Sequence, residues 1–399
     1  MDKQEKINLI SLIIIVGFTV AIIYHYLAAS YYQLGYPHNT FLFNPNDQFN
    51  DFFNHLKITL NPYWGNIYKG VYFPFFYILL GLFSNVYPII LFNSAFSIFL
   101  LSFFGICYYY LNNKSKLITF QNAFVFTFLS YPMLFLLDRG NFEAFTFIFL
   151  FLFVFFYPKH PRLSLLFLIF PIASKAIPAI FLLLPLSDKK YKDVFITIFI
   201  VGILTLGSYA LLPGGFVQNL TNHFLNLRLQ DQYYVFNNKD RELGISLFAL
   251  IKYFLVWIFP NQPEELLSVK IYSVYLPISV IFGLIIAIVF YPKKMAYWKK
   301  ITLLVCAMNL LPAISMDYKL INIFIPIFLF IASKEKKKTD CYFAILFTLL
   351  LIPKQYYLPF YNYNSISSVL NPILMILLVF QIFHEELNLK IHPRKVLVT

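Results

Sequence analysis

The chain alternates long apolar runs with short, basic interruptions. Ile7–Tyr26, Pro88–Leu111, Val194–Leu212 and Ile271–Tyr291 carry almost no charge. At about 1.5 Å per residue each run reaches roughly the 30 Å of a bilayer core, which predicts membrane-crossing helices. The first run is too long for the apolar part of a signal peptide, and no A-x-A-like cleavage site follows it. It is therefore expected to be a retained first helix.

The interruptions orient these helices. Lysine and arginine gather at Lys3/Lys6, Lys114/Lys116, Lys159/Arg162, Lys189/Lys190/Lys192, Lys293/Lys294/Lys299/Lys300, Lys334/Lys336/Lys337/Lys338 and Lys390/Arg394/Lys395. Short loops with this bias face the cytoplasm. Placing them all there sends helix one outward, leaves residues 30–72 as a first extracytoplasmic loop, and puts Asp138–Glu143 at the outer surface. Residues 214–245 are expected as a second outer loop.

Three segments fit no simple crossing. "VYFPFFYILLGLFSNVYP" is too short and too rich in proline breaks to span, so it is expected to dip in from outside. Residues 246–260 are expected to be a second partial insertion. Residues 163–187 have basic loops at both ends, so they must go out and come back, with Ser174 and Lys175 at the apex of a broken-helix pair. Irregular backbone at membrane depth survives only when buried or lining a wet cavity, and a lysine there is a candidate functional residue. The expected fold is one all-α polytopic membrane domain over residues 1–399, with roughly 10–13 transmembrane or partly inserted helices.

Composition narrows the function. Charged residues make up 12% of the chain, about half the usual share in soluble domains. The net charge of +13 comes from the cytoplasmic clusters, so no nucleic-acid partner is expected. Cys107, Cys306 and Cys341 lie in or at the ends of apolar runs and suggest no disulfide frame. The seven histidines lack metal-ligand spacing, so no metal is expected. No Gly-rich nucleotide-binding turn is present, and no cofactor is expected.

Polar residues that the apolar pattern does not need collect on the outer face. The stretch "SYPMLFLLDRGNFEAFTFIFLFLF" places Asp138, Arg139, Asn141 and Glu143 between two hydrocarbon-like segments. Asp47 and Asp51 come from the first outer loop, Lys175 from the broken pair, and Tyr318 and Lys319 from "SMDYKL". Cations at a membrane surface can hold a lipid-linked phosphate. A carboxylate opposite them can take a proton from a hydroxyl attacking the sugar carbon on that phosphate.

These segments, in this order, resemble the GT-C glycosyltransferases, in particular the α-mannosyltransferase-like glycosyltransferase family 87. The likeness rests on an Asp in a long first outer loop ("QFNDFFN"), a following "PY…YFPF", the "RGN-x-E" turn, "KAIP" at Lys175–Pro178 and a late "DYKL", and it runs from residue 10 to about 335. Gln48 departs from it, standing where a basic residue is expected. The resemblance implies inverting transfer of a hexose, mannose-like, from a polyprenyl-phosphate donor to a lipid-linked or glycan acceptor. It places the active face outside the plasma (inner) membrane, with Asp51 as base and no nucleotide sugar. Asp47 is the alternative base or an acceptor-hydroxyl ligand. Arg139, Lys175 and Lys319 would hold the donor phosphate, with Asn141, Glu143, Tyr63 and Tyr318 supporting the site.

Each residue also has a plainer reading. Asp51 can cap a short helix. Arg139 and Glu143, four apart, can pair along one helix. Asn141 can cap the helix that Glu143 begins. Lys175 can snorkel, and Tyr318 and Lys319 can anchor an interface. Tyr63, Trp64 and Tyr68 can stack on a sugar or belong to an aromatic belt. Arg228 and Arg241 can meet the acceptor or be solvated, and Asn219–Thr221 matches a glycosylation sequon. The competing functions are a polymerase or ligase of lipid-linked glycans and a polyprenyl-lipid flippase or transporter.

Overall fold

Apolar runs of 20 or more residues have no local alternative to the helix in hydrocarbon, because every backbone amide must find a partner within its own segment. The computed structural model describes residues 1–64, 70–236, 244–259, 264–290, 295–357 and 365–391. Among them no strand occurs, and the chain is an all-α polytopic membrane protein. Five helices are long and apolar enough to cross a bilayer. A sixth span results if two segments bent by 50° at Leu129–Ser130 count as one.

In chain order, α1 (Lys3–Ser30) is followed by a 3-10 turn at Pro45–Asp47, then α2 (Asn50–Lys57), α3 (Pro74–Gly81) and the long α4 (Pro88–Tyr110). The bent path is α5 (Lys116–Phe128) with α6 (Tyr131–Arg139), and α7 (Glu143–Phe156) returns beside it. Next come α8 (Pro161–Ser174), a 3-10 segment Ile177–Leu182 and α9 (Leu183–Ser187), the broken pair that the prolines predict. After α10 (Tyr191–Leu211), α11 (Gly215–Asp231) and α12 (Leu247–Ile258), the chain forms α13 (Glu264–Phe290) and α14 (Tyr297–Leu310). A 3-10 turn at Asp317–Ile323 leads into α15 (Phe324–Ala332), followed by α16 (Asp340–Leu351) and α17 (Ser367–Ile391).

The short α3 has eight residues, too few to cross a bilayer. Helix α12 has 12 residues and extends only about 18 Å. Of the stretch expected as an outer loop at 214–245, the described part is largely helix, with Asn219, His223 and Asn226 buried on one face.

Contacts at the helix ends show which ends share a side. The α-amino group and Lys6 Nζ both lie 3.3 Å from Asp340 Oδ2 at the start of α16. Lys299 at the start of α14 is held by Glu385 at 2.7 Å and Glu386 at 2.6 Å near the end of α17. These ends adjoin the basic loops and define a basic side. At the opposite side, Phe43 N–H donates to Asp138 Oδ2 at 3.1 Å, and Phe73 N–H donates to the Ser174 carbonyl at 2.9 Å.

Nearly all of α14 and α15 is buried, and these helices form the centre of the bundle. Phe103 of α4 packs its ring against Phe147 of α7 and Phe324 of α15, with centroids 5.5 and 4.9 Å away. Trp298 meets Phe343 at 4.9 Å. Between helices in lipid, such close packing replaces the hydrophobic effect as the source of association. The surrounding helices α1, α4, α10 and α13 turn Leu12, Leu101, Phe195 and Ile281 outward, as hydrocarbon solvent requires.

Candidate functional site

The site begins at the corner between α6 and α7. Gly140 takes the left-handed conformation (φ 59°), and a Cβ there would come within 3.1 Å of Phe92 and 3.2 Å of Phe52. This corner ends α6 and reverses the chain. Arg139 and Glu143 are therefore on separate helices, and the i, i+4 pair that their spacing suggests does not form.

Arg139 turns to the first loop instead. Its Nη1 donates to Asp47 Oδ2 and to the Asp47 carbonyl, each at 2.9 Å. Its Nη2 donates to Asp51 Oδ1 at 2.5 Å, and the guanidinium lies 4.2 Å from the Phe43 ring centroid. A planar fork can hold two carboxylates in this way. The other Asp51 oxygen accepts from Asn141 Nδ2 at 2.6 Å. Asp51 is not the cap of its helix: α2 starts one residue earlier, with Phe49 as a left-handed cap that gives no side-chain bond. Asp47 lies on the preceding 3-10 turn, so the two carboxylates meet through Arg139 and not along one helix face. Asn141 also accepts from the Glu143 amide at 2.9 Å, so it braces the start of α7 and Asp51 together.

A second charged group stands beside this one. Lys175, in extended backbone at the break after α8, lies 3.8 Å from Glu143 Oε2. Its Nζ is 5.3 Å from the centroid of Tyr72, a residue tied to the break through the Phe73–Ser174 hydrogen bond. Asn322 donates to Glu143 Oε1 at 2.9 Å. Lys319 is buried and donates to the Ile314 carbonyl at 3.1 Å. Its pKa is lowered to about 7, by burial first and then by nearby Lys175, with Glu143 opposing. Tyr318 is half-buried beside Tyr131 and Met316. Burial, then Asp51 and Glu143, push its phenol well above the ordinary range.

The structure brings together Asp47, Asp51, Arg139 and Asn141, and separately Glu143, Lys175 and Lys319; Tyr318 packs beside Tyr131 and Met316. Tyr63 does not join them. It is buried, its hydroxyl donates to the Tyr72 carbonyl at 2.8 Å, and its ring stacks on His223 at 4.8 Å. Its ring lies between His223 and Tyr209, with no face free for a sugar. Trp64 is 44% exposed and Arg228 is exposed. Asn219 of the sequon is fully buried, donating to the Tyr209 and Leu212 carbonyls, so it is no glycan acceptor. Tyr68, Lys239, Asp240, Arg241 and Glu242 lie outside the described residues.

Sequence reasoning missed Tyr72, Asn322 and His55. His55 stands one turn after Asp51 on α2, a spacing that could have flagged it, and its Nδ1 is 3.2 Å from the Tyr77 hydroxyl. Burial lowers its pKa to about 4, with Asp51 opposing and Lys175 assisting. Asn322 follows Lys319 by three residues on the same turn. A cleft of about 800 Å³, lined by residues that include Phe53, Leu56, Lys57, Asn61 and Trp64, runs along the face of α2 opposite Asp51. Among the described residues no group of three His, Cys, Asp or Glu side chains stands ready for a metal ion. No protein-family model, no curated protein and no solved structure matches the chain.

Proposed function

We propose that the protein is a membrane glycosyltransferase. It moves a mannose-like hexose from a polyprenyl-phosphate donor to a lipid-linked or glycan acceptor at the extracytoplasmic face. The observation that carries this reading is Asp51, whose two oxygens are aimed by Arg139 and Asn141 while its side chain stays 22% exposed. An ionised carboxylate so held keeps lone pairs for one more proton donor.

The roles differ from the sequence expectation in one respect. Arg139 is occupied by two carboxylates, so its part is to orient the base. The donor phosphate is left to Lys175, whose side chain is 24% exposed, with Lys319 behind it. In the proposed step, Asp51 takes the proton of the acceptor hydroxyl as that oxygen bonds to the anomeric carbon. The carbon–oxygen bond to phosphate breaks with inversion, and polyprenyl phosphate leaves with the electron pair beside Lys175.

The test uses the protein in lipid vesicles with labelled polyprenyl-phosphate mannose and candidate lipid acceptors. Asp51→Asn keeps the side chain's size and is expected to lower turnover by about 10²–10⁴-fold with donor binding retained. Transfer at the parental rate by Asp47→Asn/Asp51→Asn would end this assignment.

A further inference from the structure

Helix α11 buries three polar side chains and leaves several large apolar ones exposed. Asn219, His223 and Asn226, spaced four and three apart on one face, are its buried residues, with exposures of 0, 3 and 5%. Val217 (75%) and Phe224 (65%) face outward with Phe216 and Leu225, alongside the exposed Gln218, Thr221 and Arg228, while Leu220 packs inward against the cluster that holds Tyr63 and Tyr77.

Every polar residue of the inner face has a partner. Asn219 Oδ1 accepts from Trp64 Nε1 at 3.2 Å. His223 Nε2 donates to the Val71 carbonyl at 3.3 Å, and its Nδ1 pairs with the Tyr209 hydroxyl. Asn226 Nδ2 donates to the Gly70 carbonyl at 3.2 Å. The helix thus grips both ends of the segment that leads to Tyr72. Gly214, at φ 97°, makes the turn from α10; a Cβ there would fall 2.5 Å from the Trp64 ring.

We propose that α11 is a membrane-surface helix. It lies in the bilayer plane on the site side, with Phe216, Val217, Phe224 and Leu225 among the acyl chains, and so ties Gly70 and Val71 to the lipid. The occupant follows from continuity. The outward face of α10, with Phe199, Ile203, Leu206 and Leu211 exposed, already faces hydrocarbon, and α11 extends that surface after a two-glycine turn. Arg228, one turn beyond Phe224, suits the headgroup layer, where a long cationic side chain can snorkel. The inference is independent of the transferase reading.

The test replaces the exposed Cys341 with Ala and introduces Val217→Cys or Phe224→Cys, each labelled with an environment-sensitive fluorophore. The protein is placed in phosphatidylcholine/phosphatidylglycerol vesicles. Doxyl-lipid quenching several-fold stronger than iodide quenching at both positions is expected. Iodide quenching that exceeds lipid quenching would mean water or a soluble partner and would overturn the proposal. Protection from both quenchers, with cross-links between copies, would mean a second chain and would overturn it as well.

Discussion

Replacing Arg139 with methionine keeps the length of the side chain and removes only the fork that joins Asp47 to Asp51. Two unit charges about 4 Å apart at an effective dielectric near 20 attract by about 4 kcal/mol, so the two arms are large before solvation is counted. The Asp47 arm is 38% exposed and is worth no more than about 1 kcal/mol after screening. The Asp51 arm is better enclosed, and its loss leaves two neighbouring carboxylates without their common cation. A net cost of about 3 kcal/mol is expected, the lower end for breaking a buried pair. Cys107 and Cys306 are buried, so a thiol-reactive dye reports unfolding on heating in detergent once Cys341 is removed. Arg139→Met should melt earlier, and adding Asp51→Asn to it should restore part of the loss by removing one of the stranded charges. If the two substitutions are simply additive, Arg139 does not hold Asp51 in the folded protein, and its proposed orienting role fails with it.

Two further outcomes follow from the same geometry. Lys175→Met should weaken binding of a polyprenyl-phosphate donor by ten- to a hundred-fold, corresponding to about 1.5–3 kcal/mol for a charge-assisted contact; equilibrium binding to the purified variant checks this, and unchanged affinity would return Lys175 to a structural role beside Glu143. His55 and His223 have pKa values lowered from 6.5 to about 4, chiefly by burial. The unfolded chain therefore takes up protons near pH 6.5 that the folded chain refuses until about pH 4. Their contribution to stability is complete above about 6.5 and lost as the pH falls through that window. His55→Gln/His223→Gln should flatten the pH dependence of melting between those limits, and an unaltered slope would remove both groups from the account.

The helices and their relative directions were legible because apolar length and loop charge are local signals. Proline at 171 and 178 likewise announced the break that exposes Lys175. The site was legible only as a set of residues on one side. Arg139 and Glu143 read as a helical pair because spacing assumes an unbroken helix, and the left-handed Gly140 removes that assumption. The partnership of Arg139 with Asp47 and Asp51 crosses some 90 positions, and no periodicity reports it. Asn219, His223 and Asn226 read as a solvated loop because their polarity was taken as exposure, whereas in the fold each bonds to carbonyls or aromatic side chains. Tyr63 read as a sugar-stacking or belt aromatic for the converse reason, since nothing in its neighbourhood tells a buried ring from a wet one.

The α6–α7 corner has a consequence for how firmly the carboxylate can be aimed. Asp51 belongs to a short helix of eight residues in a long connection, a place where positional drift is ordinary. Its two oxygens, however, are held from residues 139 and 141, on either side of a glycine wedged against Phe52 and Phe92. Both donors sit at the corner that joins two packed helices. A loop residue thereby acquires the stiffness of the bundle, and its direction is referenced to the membrane-embedded core and not to the segment that carries it.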